Sequence, residues 1–155
     1  MKSILVSVAL AGAASLATTA LAEPLPKDAK PIAAKSLSAL YSGNTAKWGN
    51  STAFFAPDGM VKGIFTEENG TKRAYQGEWR TKGNEVCMTV KVLKTDWEPT
   101  TDCWKWYLGS DQQIWTLWSV HYDKTKPTKN DYYTDEKDKI SRGDSVSKAF
   151  AKLAG

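Results

Sequence analysis

Between Glu85 and Val120 apolar and polar residues alternate in three runs separated by turn residues. In the first run Val86, Met88, Val90 and Val92 share one face, while Cys87, Thr89 and Lys91 share the other. In the second, Trp104, Trp106 and Leu108 oppose Cys103, Lys105 and Tyr107. The third, Ile114 to Val120, is apolar on both faces, which predicts a central strand covered on both sides. Three β-branched and aromatic runs joined by short polar turns predict an antiparallel meander. The valines and tryptophans then form its core side, and the two cysteines lie on the less apolar side.

The same rhythm extends upstream. Pro57-Asp58-Gly59 and Asn69-Gly70 are strong turn signals. They predict strands over Ser51 to Ala56, Met60 to Thr66 and Thr71 to Arg80. Within the last of these Tyr75 and Trp79 point one way and Gln76, Glu78 and Arg80 the other. Ahead of the strands, Ala33, Ala34, Leu37, Leu40 and Tyr41 recur at helical spacing, and Gly43-Asn44 ends that helix. Downstream, Asp123 to Asn130 reads as a solvated loop, and Asp131 to Thr134 and Lys137 to Ser141 as two short strands. Asp144 is a helix N-cap for Val146, Ala149, Phe150 and Leu153. The predicted fold is therefore all-β with short flanking helices. It is an antiparallel meander forming a small lipocalin-like β-barrel of about seven or eight strands.

The first residues have a different character. Met1 and Lys2 are followed by an uncharged apolar run to Leu16, and Ala20-Leu21-Ala22 has the small-residue pattern of a cleavage site. Residues 1–22 are expected to be a Sec-type signal peptide cleaved after Ala22. Its apolar part is too short for a membrane span, and no later run is long enough for one. Residues 23–32, with Pro24, Pro26 and Pro31, read as an extended, mobile leader, and 33–155 as a single domain. The expected location is the periplasm or the exterior.

The formal net charge of +4 is spread in alternating signs rather than gathered in a basic stripe. Nucleic acid is therefore not an expected partner. Cys87 and Cys103 are the only cysteines. In an exported chain two cysteines at this spacing favour a cross-strand disulfide, with the hairpin centred near Thr95. The alternative, a free or metal-binding pair, has neither a CxxC motif nor a nearby histidine to support it.

No catalytic signature emerges, and no catalytic residue, metal site or cofactor is expected. His121 is the only histidine. With Asp123 it could serve as a general base, but no nucleophile accompanies it, and it reads as a strand-end surface residue. Glu67-Glu68 and Asp135-Glu136-Asp138 read as solvated charges. The unusual feature is seven tryptophans. Trp79, Trp104 and Trp106 alternate correctly for core positions. Trp97 sits in the polar turn Lys94 to Pro99 and is either simply exposed or ligand-facing. Trp115 and Trp118 lie on opposite faces of one strand. The candidate ligand contacts are Trp97, Trp115, Trp118 and Tyr107, because flat rings stack on sugars and apolar molecules.

The segments Ala53 to Gly59 (Ala-Phe-Phe-Ala-Pro-Asp-Gly), Gly77-Glu78-Trp79-Arg80, Asn84-Glu85-Val86-Cys87 and Cys103-Trp104 follow one another in an order that resembles a group of small exported proteobacterial proteins. This is the domain-of-unknown-function 995 family. The resemblance covers about Trp48 to Val120 and implies a periplasmic β domain with no assigned activity. Residues and resemblance together suggest a non-enzymatic, monomeric, exported or envelope-associated binding protein. Its ligand would be a glycan, a small apolar molecule or a protein. The alternatives are a secreted inhibitor of a lysozyme or protease, with Lys94 to Thr100 as its presenting turn, and a hydrolase built on His121.

Overall fold

The computed structural model describes residues 24–155. Ten antiparallel strands form one curled sheet, a half-barrel flanked by two short helices. The strands are β1 (Lys30–Pro31), β2 (Asn44–Trp48), β3 (Ser51–Phe55), β4 (Met60–Thr66), β5 (Lys72–Lys82), β6 (Glu85–Val92), β7 (Thr100–Leu108), β8 (Ile114–Trp118), β9 (Tyr132–Tyr133) and β10 (Ile140–Arg142). Helix α1 spans Ala34–Tyr41 and α2 spans Ser147–Ala154.

From β2 to β8 each strand pairs with the next in the chain, as the turn signals predict. The count exceeds seven or eight because β1, β9 and β10 are only two or three residues long. The strand β2 was not among those predicted. It returns into β3 through Gly49 (φ +40°) and Asn50, so that Trp48 faces Ser51. Lys30 and Pro31 are not a free leader: they pair with Leu108 and Tyr107 of β7. Of Lys137 to Ser141 only the end is strand, because Glu136–Lys139 forms a 3-10 turn. The predicted signal segment, residues 1–22, lies outside the described residues.

Curling needs places where strands approach closely or bend. Gly77 is one: a Cβ there would sit 1.9 Å from the Thr89 carbonyl oxygen on β6. At Gly63 the Tyr75 ring lies across the backbone, and a Cβ would meet its Cζ at 2.1 Å. These two positions accept only glycine in the observed geometry.

The concave face is lined with rings. Tyr41 at the end of α1 is fully buried and packs edge-on against Phe55, Trp104 and Trp106, with centroids 4.7, 5.7 and 5.9 Å away. Trp104 Nε1 donates to the Tyr41 hydroxyl at 2.8 Å, and Trp79 Nε1 donates to the Ala56 carbonyl at 2.8 Å. These two indoles keep their polar ends paired, whereas Trp106 Nε1 in the same cluster is buried without a hydrogen-bond partner in the protein. Val86, Met88 and Val90 of β6 join the same core. The alternation in β5, β6 and β7 thus faces the way their sequence predicts.

The sheet path runs β10-β2-…-β8-β9, so β9 and β10 are its two ends. Across this seam Trp48 of β2 packs edge-on against Trp118 of β8 at 5.9 Å. The turn Glu136–Lys139 links β9 to β10 at the seam, and Glu136 is wholly buried there. Helix α2 packs against β4 and β5. The Asp144 carboxylate accepts the backbone N–H groups of Val146 and Ser147, which is the capping role expected of it.

Candidate functional site

Up-and-down pairing gives the half-barrel two ends with different chemistry. One end is filled by α1 and the rings around Tyr41. The other carries the β2–β3 turn at Gly49-Asn50, the β4–β5 turn Glu67 to Thr71 and the β6–β7 loop 93–99. At that second end, here called the rim, Trp48, Phe65, Val92 and Trp118 pack on the core but stay only partly buried.

The disulfide sets the base of the β6–β7 loop. Cys87 and Cys103 are directly opposed, with Cα atoms 4.1 Å apart, and form a bond on the outward face. Above it, Thr89 and Thr101 hydroxyls meet at 2.9 Å. The Thr95 hydroxyl donates to the Val92 carbonyl at 3.0 Å, and Lys94 takes a left-handed conformation (φ 57°), which shapes the turn. Trp97 is carried out to the rim and is 46 % exposed. The Arg73 guanidinium lies 5.8 Å from its ring centroid, and Arg73 Nε pairs with Glu67 Oε1 at 3.0 Å. An exposed indole held by a cation is a ready stacking surface.

The other candidate contacts separate. Trp118 lies inside, stacked on Trp104 at 4.5 Å. Tyr107 and Trp115 are cross-strand partners on the outward face, and Tyr132 packs edge-on against both. Trp115 is buried there, with Leu117 beside the β9 pairing. So β8 is covered on both faces as expected, although it lies near an end of the sheet rather than at its centre. The four residues do not converge on one surface.

Two polar positions differ from their sequence reading. His121 does not meet Asp123 as a base and its orienting acid; its Nδ1 lies 3.4 Å from Asp131 Oδ1. Asp131 is buried, accepts from Lys124 Nζ and from both the backbone N–H and hydroxyl of Thr128, and thereby fastens the loop 124–131. The Lys124 ammonium and the Thr128 donors hold its carboxyl down at about 2. Glu136, read as a solvated charge, is completely buried. Trp48 Nε1 donates to its Oε1, and Lys139 Nζ lies 3.3 Å from its Oε2. Burial pushes this carboxyl above the usual glutamate range despite those partners. Its neighbours in sequence are charged, so no local pattern announces burial; only the indole at Trp48, in need of an acceptor, hints at a partner.

Asp102 is also distinctive. It faces inward as the cross-strand partner of Met88, one inward position from Trp104. It is half-buried, and burial raises its carboxyl with no hydrogen bond or ion pair to offset the loss of water. Inward alternation along β7 could have singled it out, since it is the one acid on a face otherwise carrying Thr100, two tryptophans and a leucine.

Among the described residues the one cluster with metal-ligand spacing is Glu85, Cys87 and Cys103, and its sulfurs are bonded to each other. No helix of the described residues is long and apolar enough to cross a membrane. Residues 7–148 match the family described as protein of unknown function, DUF995. The chain belongs to this family. The match extends well beyond the Trp48 to Val120 segment in which the DUF995 motifs are recognisable, into the closing strands and the start of α2. No curated protein and no solved structure matches the chain.

Proposed function

We propose that this DUF995 protein is an exported, non-catalytic binding protein that engages a polymer or protein with the rim of its curled sheet. In this reading residues 1–22 are a cleaved signal and the mature chain works in the periplasm or outside the cell. The disulfide fits an oxidising compartment. The observation that carries the binding role is the contrast between the two ends. Rings fill the interior around Tyr41, while Trp97 is held out at the rim beside Arg73. A flat indole beside a guanidinium suits a sugar ring or a protein side chain at the surface.

The test is titration of peptidoglycan fragments and envelope polysaccharides while tryptophan fluorescence is followed. A saturable change, weakened at least tenfold in Trp97→Ala, is the expected result. No response to any polymer, or an unchanged response in the variant, removes the glycan reading. One observation favours a second occupant: loop 93–99 springs from disulfide-joined strands, as a rigid presenting loop does. A secreted hydrolase inhibitor has that need, and a pull-down with periplasmic or host lysozymes and proteases checks it.

A further inference from the structure

Asp102 stands out from the remaining acids and hydroxyls of the concave face, and apart from the buried N–H of Trp106 it is the polar group there without a partner. Thr116 is buried but hydrogen-bonded, and Glu136 has both Trp48 and Lys139. Asp102 has none of this. It projects inward from β7 between Thr100 and Trp104, opposite Met88. Two residues along β7 the fully buried Trp104 stacks on Trp118 with planes 19° apart, and Trp48 closes edge-on against both at 5.9 Å, which leaves Trp118 and Trp48 as the partly exposed rings on this side. On the β5 side, Tyr75 turns its hydroxyl to Ser51 Oγ at 3.0 Å. The nearest rim cation described above, Arg73, is already committed to Glu67 and Trp97.

We propose that Asp102 and the surrounding rings form a shallow site for an organic ammonium group, entered from the rim. A carboxylate that has lost part of its water without gaining a partner is unfavourable by itself. An ammonium ion repairs that deficit with a charge-assisted contact. The rings supply the rest, because aromatic faces attract cations most strongly where water is scarce. Met88 adds a polarizable, adaptable wall. A hard metal ion does not suit the place, since a single carboxylate among rings offers too few oxygen ligands. The inference rests on the reading of the rim as the ligand-facing end, and it adds a charge requirement that Trp97 alone does not impose. Free quaternary amines and the amino groups of de-acetylated sugars share the required chemistry.

The experiment uses the mature chain with its disulfide intact and reads indole N–H shifts and tryptophan fluorescence. Choline is compared with its neutral isostere 3,3-dimethyl-1-butanol, and glucosamine oligomers with their N-acetylated forms. The expected result is at least tenfold tighter binding of the cationic member of one pair or both, lost in Asp102→Asn. The pair that discriminates identifies the source. Asp102→Asn should keep or raise the urea midpoint, because it removes an uncompensated charge. Equal binding of charged and neutral members, retention of the preference in Asp102→Asn, or a lowered midpoint in that variant overturns the proposal. Trp97→Ala separates the two readings. Loss of polymer binding with ammonium binding retained supports both. Polymer binding that persists in Asp102→Asn, in a protein showing no ammonium preference, leaves the rim reading standing and ends this one.

Discussion

Glu136 closes the seam of the sheet, and its replacement tests that directly. In Glu136→Ala three things are lost together: the acceptor for the Trp48 indole, the partner of Lys139, and the side-chain volume in a fully buried place. A hydrogen bond to a charged group contributes about 1.5–3 kcal/mol, and the cavity adds to it. The expected loss is therefore about 2–4 kcal/mol. Glu136→Gln keeps the length and the acceptor oxygen but removes the buried charge, which itself is unfavourable. It should cost less than about 1 kcal/mol. With a urea dependence of about 2 kcal/mol per molar, the Ala variant shifts the unfolding midpoint down by about 1–2 M, and the Gln variant by far less. The pH dependence supplies a second readout. Burial raises the folded carboxyl above its ordinary value, so the folded state holds the proton longer than the unfolded chain. That contribution is complete below the ordinary glutamate range and is lost as pH rises through the folded value. The wild type should therefore lose ground to Glu136→Gln as pH climbs from about 4. Equal damage by Ala and Gln, or a difference between wild type and Gln that does not change with pH, refutes the reasoning.

Three further outcomes are expected. Opening the Cys87–Cys103 bridge by reduction, or replacing both residues with alanine, should lower stability by about 3 kcal/mol for a loop of this length, measured by urea unfolding. Gly77→Ala drives a methyl into the Thr89 carbonyl and should destabilise by at least about 3 kcal/mol or prevent folding, whereas alanine at Gly70, where nothing lies within 4 Å, meets only the strain of its positive φ and should cost about 1 kcal/mol, as thermal unfolding can compare. Asp131 has a depressed folded carboxyl, near 2, so its contribution is present above about pH 4 and disappears as pH falls towards 2; Asp131→Asn should remove the acid-driven step from the fluorescence of Trp115, against which the next residue, Tyr132, packs.

The regular part of this fold is legible because strand periodicity is a two-residue property. Cys87 opposite Cys103, and Trp79, Trp104 and Trp106 on one face, follow from counting alone. Helix α1 is equally local, and Tyr41 falls at its end as the spacing predicts. The short strand β2 is hard to read because it starts directly at the Gly43-Asn44 helix stop and runs only to Trp48 before Gly49-Asn50 turns it into β3. The environments of Glu136, Asp131 and Asp102 are another matter. Each depends on residues brought together across the sheet or from a loop: Glu136 on Trp48, Asp131 on Lys124 and His121, Asp102 on Met88 and the tryptophan stack. The 3-10 turn around Glu136 has no period to read, and acids among lysines look the same whether they face water or the interior. Alternation could locate Asp102 on the inner face, but only the curl of the sheet takes it partly out of water.

The order of the sheet bears on how the chain acquires its shape. From β2 to β8 every pairing joins neighbours in sequence, so successive hairpins can zip up as the polypeptide emerges, each closing a short loop. The exceptions are β1, which pairs with β7, and above all β10, where Ser141 must find Thr45, nearly the whole domain away. That long closure carries the largest entropic cost and can occur only after the last residues are available. A chain truncated before Ile140 should thus retain a zipped but unsealed ribbon, its aromatic concavity accessible to hydrophobic dyes and to other copies of itself.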